Sequence, residues 1–196
     1  MWEERYGADE YAYGKTANDF LQQMVSKLPV GGKVLCLAEG EGRNSVFLAE
    51  QGFLVTGVDS SQAGIAKVNR LAKERGVEVE AIVADLAEFD IGQGKWDAVV
   101  SVFCHLPPPL RKQVHERVVA GLKPGGVLLL EAYTPDQLKY KTGGPPVAEM
   151  TMTLAALENE FQGLVFDTAE EKVREVVEGL YHTGTAAVVQ VIAHKP

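Results

Sequence analysis

Apolar positions along this chain follow two alternating patterns. Val34-Leu35-Cys36-Leu37-Ala38 is apolar without interruption, as expected of a strand covered on both faces. Strand-like runs recur at Phe53 to Val58, Val77 to Val83, Ala98 to Phe103 and Val127 to Tyr133. Between them the spacing turns helical. Phe20, Leu21, Met24 and Leu28 share a face of a helix over 16–28, and Ile65, Val68 and Ala72 do so after Ser60-Ser61. Leu110, Val114, Val118 and Leu122 repeat every fourth residue behind Pro107 to Pro109. Gly52 and Gly76 stop two of these helices, Ser60 or Ser61 caps one, and Lys123-Pro124-Gly125-Gly126 turns sharply into the fifth strand.

Strands alternating with helices predict a parallel sheet with right-handed crossovers, an α/β architecture. The pattern changes after Tyr133. A long loop over 134–150 holds Gly143-Gly144-Pro145-Pro146, and a helix around Leu154 to Phe161 follows. Two strands, about Lys172 to Val177 and Ala186 to Ala193, are joined closely enough to form an antiparallel hairpin. Neither repeat nor linker divides the chain, so residues 1–196 read as one domain, with residues 1–28 as an N-terminal helical cap.

Candidate chemistry sits where the strands end, because ligands of open parallel sheets bind beyond the strands' carboxyl ends. The first strand runs into the turn Ala38-Glu39-Gly40-Glu41-Gly42, and Val58-Asp59 ends the second strand. Gly40 and Gly42 let a ligand approach bare backbone. Glu39 and Glu41 would repel a pyrophosphate at the following helix N-terminus and welcome a cation. Ser45 stands where a dinucleotide fingerprint needs its third glycine, which further disfavours NAD. S-adenosylmethionine, with its sulfonium and ammonium, suits the turn. Asp59, beside Ser60, is placed to accept both ribose hydroxyls, or to cap the next helix. Asp85 is placed to accept an adenine amino group, and Leu86 and Phe103 either sandwich the base or pack in the core.

Net charge is −8, which disfavours nucleic acid and anionic membranes as partners. Cys36 and Cys104 lack metal or redox spacing, so no metal site and a reducing cytoplasm are expected. No apolar stretch is long enough to span a bilayer. His105 faces the expected acceptor site and His182 lies in the terminal hairpin turn, so both are tentative catalytic candidates; either could also be structural. His115 and His194 read as surface residues, and Arg43 as a salt-bridge partner of Glu41 or Glu50.

The ordered set of glycine turn, Asp59, Asp85, Lys123-Pro124-Gly125-Gly126 and terminal hairpin resembles the class I S-adenosylmethionine-dependent methyltransferases. Glu39-Gly40-Glu41-Gly42-Arg43-Asn44, Phe103-Cys104-His105-Leu106-Pro107 and Glu178-Gly179-Leu180-Tyr181-His182-Thr183-Gly184 look like the small tellurite-resistance and thiopurine methyltransferase-like group. The resemblance implies a Rossmann-like three-layer sandwich with a mostly parallel seven-stranded sheet closed by an antiparallel C-terminal hairpin. It also implies methyl transfer from S-adenosylmethionine to a small-molecule acceptor, leaving S-adenosylhomocysteine, with no obligatory protein partner evident. Cys36 and Ala38 depart from the family pattern, which places an acid and a glycine there; Glu39 is expected to replace the acid near the methionine ammonium. Tyr11, Tyr13 and Gly14 correspond to a segment that folds over the cofactor in related enzymes, with cation–π attraction or simple anchoring as its physical basis. A non-catalytic S-adenosylmethionine or nucleoside sensor on the same fold is the alternative.

Overall fold

The computed structural model describes residues 2–196. Helix α1 (Trp2–Tyr6) and helix α2 (Asp19–Met24) precede β1 (Lys33–Leu37). Then come α3 (Arg43–Glu50), β2 (Leu54–Asp59), α4 (Gln62–Arg75), β3 (Glu80–Val83), β4 (Trp96–Val102), α5 (Pro108–Gly121) and β5 (Leu122–Tyr133). Helix α6 (Leu154–Glu160), β6 (Val165–Glu178) and β7 (His182–His194) complete the chain. Among the described residues, seven strands form one sheet in the order β3-β2-β1-β4-β5-β7-β6. Strands β1 to β5 pair in parallel, and β7 runs antiparallel between β5 and β6. This is the expected α/β sandwich, and its strand order reverses between β1 and β4, the position beyond whose carboxyl ends open parallel sheets bind their ligands.

The uninterrupted apolar run of β1 has a direct cause. Leu35 and Leu37 face one core layer with Val99, Leu128, Leu130 and Val191. Val34 and Cys36 face the other, with Phe20, Leu21, Leu48, Val100 and Leu129. Successive residues of a strand point to opposite faces, so a sheet covered twice needs both sets apolar.

Element bounds differ from expectation where polar side chains intervene. Asn18 interrupts the long N-terminal helix: its Oδ1 accepts the Leu21 N–H at 3.0 Å and caps α2, which gives way to a 3-10 turn after Met24. Strand β3 starts at Glu80 rather than Val77. Strand β6 starts at Val165, well before Lys172, because as an edge strand its exposed positions are charged and hide the alternation. The hairpin connection shrinks to 179–181, which makes Glu178 and His182 cross-strand partners.

Candidate functional site

Ala38 leaves β1 with a φ of 48°, in the left-handed region that favours the family's glycine. Glu39 then folds under the turn. Its Oε1 accepts the Ser45 N–H at 2.9 Å, and its Cγ lies 3.1 Å from where a Cβ on Gly57 would stand. Gly57 therefore leaves the room that Glu39 fills. Burial pushes the Glu39 carboxyl up to about 7 despite the lowering effect of its bonds to Ser45. The carboxylate already occupies an α3 first-turn amide, so a phosphate has less to bind there. Gly42, at a φ of 97°, is held bare by α4: a Cβ would stand 2.9 Å from Val68 Cα.

Glu41 has a different task from the one its position suggests. Lys67 Nζ pairs with it at 2.6 Å and the Tyr13 N–H reaches its other oxygen at 3.3 Å. Nor is it the partner of Arg43, which pairs with Glu178 at 2.7 Å, while Glu50 meets Arg75 at 3.5 Å. Asp59 is buried at the end of β2, its Oδ2 accepting Gly40 N–H at 2.8 Å and its Oδ1 accepting Ser61 N–H at 2.9 Å. Each oxygen keeps a second lone pair, which is what two ribose hydroxyls require. Ser61, not Ser60, caps α4; Ser60 is exposed beside Asp59.

The N-terminal segment spans this turn. Glu3 accepts from Ser61 Oγ at 2.6 Å and Ala63 N–H at 3.2 Å, docking α1 onto the start of α4. Tyr6, which sequence reasoning missed, is buried with its hydroxyl 3.0 Å from where a Cβ on Gly40 would stand. The available signal was the i, i+4 spacing of Trp2 and Tyr6, whose rings stack at 5.7 Å. Tyr11 turns toward α4: its hydroxyl donates to Lys67 O at 3.2 Å, and Lys15, Lys67 and Arg70 stand over its ring. Here Tyr11 anchors the segment. Gly14 closes a turn onto Tyr11 O, and the segment then meets the β6–β7 hairpin, where Leu180 N–H donates to Ala12 O at 2.9 Å. Contact is close enough that a Cβ on Gly179 would stand 2.5 Å from that carbonyl.

Beyond β3, Asp85 is exposed and Leu86 is buried beside Ile91 and Trp96. Phe103 does not join that cluster. Its φ of 51° turns its ring onto Tyr133 at 4.5 Å and edge-on to His182 at 4.9 Å. Tyr13 reaches the same group, 4.4 Å from His182 and 6.1 Å from Tyr181. Beyond the sheet's carboxyl edge, Tyr13, Phe103 and Tyr133 thus pack against His182, and His105 stacks on Tyr133 and Phe103.

His182 Nδ1 points back toward Glu178, 3.8 Å from its Oε2. That nitrogen is buried and lacks a hydrogen-bond partner, as does Arg43 Nη1. Glu178 is itself buried, and Asn18 Nδ2 donates to its Oε1 at 2.8 Å. The same amide nitrogen donates to Glu131 Oε2 at 2.8 Å, and Arg174 holds Glu131 at 2.6 Å. Burial pushes the Glu178 carboxyl up, but His182, Arg43 and Asn18 outweigh it and hold it at about 2. Burial lowers His182 below the ordinary imidazole value although Glu178 opposes this, so the ring is neutral at pH 7. Glu178 was not among the sequence candidates; only its position three residues before Tyr181-His182 hinted at it.

His105 is arranged differently. Its Nε2 accepts the Tyr133 N–H at 3.3 Å, so its Nδ1 carries the proton and donates to Met150 O at 2.9 Å. Both nitrogens are engaged, and burial depresses its basicity to about 4. It fastens the 134–150 loop to the ends of β4 and β5. Arg111 secures the same loop by donating to Thr151 O at 2.9 Å and Glu149 O at 3.3 Å, while pairing with Glu160 at 2.8 Å. His115, read as a surface residue, is buried against Phe161 with Nδ1 2.7 Å from Glu160. A helical face that meets α6 only after folding cannot be told from a solvated one by local pattern.

Among the described residues, no group of three or more His, Cys, Asp or Glu is arranged to hold a metal ion. Among the described residues, no helix is long and apolar enough to cross a membrane. The turn fits a nucleoside ligand: Asp59 is fixed by the Gly40 and Ser61 amides with lone pairs to spare, and Glu39 is held beneath the turn by the Ser45 amide.

Comparison with known proteins agrees with this geometry. Residues 34–126 match the model of a methyltransferase domain. An uncharacterized methyltransferase of Synechocystis is 33% identical over 178 residues, covering 84% of this chain and 77% of the relative. TehB from Haemophilus influenzae superposes with a TM-score of 0.73 at 20% identity, covering 100% of this chain and 66% of TehB. A Pyrococcus horikoshii protein gives 0.72 at 21% identity, covering 98% and 99% of the two chains. The structural matches share the fold, and the Synechocystis relative extends the likeness through most of both sequences. By that relationship and by its strand order, the chain belongs to the class I S-adenosylmethionine-dependent methyltransferases.

Proposed function

We propose that this methyltransferase methylates a small-molecule nucleophile, a thiol or a metalloid oxyanion, within the tellurite-resistance and thiopurine methyltransferase-like group. The observation that carries the reading is the ring cluster around His182, backed by the buried Glu178 carboxylate. A ring cluster that is largely shielded from solvent beneath the N-terminal segment favours a small acceptor over a folded protein surface. The charge of −8 disfavours nucleic acid.

When bound, S-adenosylmethionine supplies an electrophilic methyl carbon on a sulfonium. Asp59 would hold the ribose, Asp85 the adenine amino group, and the Gly40–Gly42 backbone and Glu39 the methionine end. Tyr6, Tyr13 and the hairpin exclude water from above. His182 is the base: Glu178 attracts Nδ1–H, which leaves the Nε2 lone pair on the opposite side of the ring for an acceptor proton. The two groups stand 3.8 Å apart, and a small movement of the ring brings them within hydrogen-bond reach. For an acceptor that is already anionic, the same residues orient it, and alignment supplies most of the rate. His105 serves by keeping the loop over Tyr133.

The test is transfer of labelled methyl from S-adenosylmethionine to a panel of thiols, selenite, tellurite, bulk tRNA and protein. Transfer to a thiol or oxyanion is expected. Transfer confined to tRNA or protein refutes the acceptor class, and cofactor binding without transfer to any arm points to a sensor.

A separate expectation concerns Glu39. Its carboxyl is raised from 4.5 to about 7 on folding, so between those values the native state binds more protons than the unfolded one. Stability of the ligand-free protein therefore declines as pH rises through that window. Glu39→Gln keeps an acceptor for the Ser45 amide and should flatten the decline. Melting temperatures taken from about pH 5 to pH 8 check this; parallel curves for the two proteins would contradict it.

A further inference from the structure

The peptide unit joining Leu86 to Ala87 is gripped at both ends. Its carbonyl oxygen accepts from Arg117 Nη2 at 2.5 Å, and its N–H donates to Asp85 Oδ1 at 2.8 Å. Arg117 stands on α5, 31 positions from Leu86. Its Nη1 also donates to Phe89 O at 2.8 Å, and its Nε bonds Gln113 O one helical turn back at 3.3 Å. The guanidinium is thus fixed to its own helix while it holds two carbonyls of the β3–β4 loop. That loop lacks regular structure at 84–85. Ala84 N–H donates to Asp59 O of β2 at 2.9 Å and ties the loop to the sheet before Asp85. Glu88 and Phe89 N–H turn onto Asp85 O, and Arg117 holds the Leu86–Ala87 peptide that follows. A planar donor fork sets peptide orientation in a way that a single ammonium does not.

The consequence falls on Asp85. With the Leu86–Ala87 peptide fixed, its N–H engages Oδ1, and Oδ2 of the exposed carboxylate is left to face a ligand. We infer that Arg117 is a positioning residue that acts through the Leu86–Ala87 peptide to aim Asp85 at the exocyclic amino group of the cofactor's adenine. The inference rests on Asp85 being the adenine partner, and it adds the residue that sets that carboxylate's direction.

Deaminated S-adenosylhomocysteine, which presents a carbonyl in place of the amino group, separates this role from general support of the loop. Calorimetry should show wild-type protein preferring S-adenosylhomocysteine over S-inosylhomocysteine by about tenfold or more, the value of one hydrogen bond to a charged acceptor. Arg117→Ala should lose most of that preference by weakening the adenosyl ligand while leaving the inosyl ligand nearly unchanged. Arg117→Lys, which retains one donor contact and preserves charge, should fall between them and guards against a misfolded alanine variant. Equal weakening of both ligands, or an unchanged preference in both Arg117 variants, overturns the positioning role. Asp85→Ala with full preference retained overturns the adenine assignment itself, whereas loss of preference there with Arg117 variants unaffected refutes only the role of Arg117.

Discussion

Asp59→Ala is expected to weaken S-adenosylmethionine binding about 100-fold, from loss of two charge-assisted hydrogen bonds to the ribose at roughly 1.5 kcal/mol each. The carboxylate has a second duty that adds to the effect. Its two oxygens join Gly40 at the glycine turn to Ser61 at the start of α4, so the cofactor loop and the ribose contact share one group. Asp59→Asn separates the two duties poorly, because an amide NH₂ must face either the Gly40 or the Ser61 N–H, donor against donor. Both variants should therefore lose affinity, with alanine no worse than about tenfold beyond asparagine. Titration calorimetry with S-adenosylmethionine and S-adenosylhomocysteine measures this. An alanine variant that binds either ligand like wild type would remove Asp59 from the site.

His182→Ala is expected to lower kcat about 100-fold for an acceptor that must lose a proton, the lower end of what a positioned base contributes. Cofactor affinity should stay close to wild type. The wild-type rate should climb with pH through an acid limb below pH 6.5, because burial lowers the His182 pKa from that ordinary value and the neutral ring is the active form. The limb should vanish in the alanine variant. An alanine variant with unchanged kcat and unchanged pH profile eliminates the base. Glu178→Gln tests the support behind it. Its loss leaves Arg43 without its carboxylate partner in a buried site, which typically costs about 3–5 kcal/mol of stability. Because the Glu178 carboxyl is depressed from 4.5 to about 2, its contribution is present above pH 4.5 and fades as pH falls toward 2. The difference in stability between wild type and Glu178→Gln should shrink across that window in acid unfolding experiments.

Local pattern accounts well for the parts of the fold that rest on local physics. The continuous apolar strands, a cap at Ser60 or Ser61 and Gly76 as a helix stop follow from periodicity and backbone preference; the structure contains the strands and the stop and selects Ser61 as the cap. The glycine turn and Asp59 are legible for the same reason: a close backbone approach and a strand-end carboxylate are requirements of position along the chain. The errors fall on partners distant in sequence. Local pattern pairs Arg43 with Glu41 or Glu50 and leaves His115 at the surface, yet Glu41, Arg43 and His115 meet Lys67, Glu178 and Glu160. The first half of β6 escapes local pattern because an edge strand carries charge where a central strand carries valine.

The sequence by itself determined the class of architecture and the placement of the glycine turn between β1 and α3. Those depend on spacing and residue type, which are complete in one dimension. Only the tertiary structure decided which histidine has both ring nitrogens bonded, because both lie beside aromatic or apolar neighbours in the chain. His105 has both nitrogens bonded by backbone groups from β5 and the 134–150 loop, whereas His182 faces Glu178 across a three-residue hairpin. Likewise Tyr6, Glu178 and Arg117 acquire their roles from contacts 34, 135 and 31 positions away along the chain. A side chain's hydrogen-bonding state and its solvent exposure are set by whichever elements close around it, and that is information no local window contains.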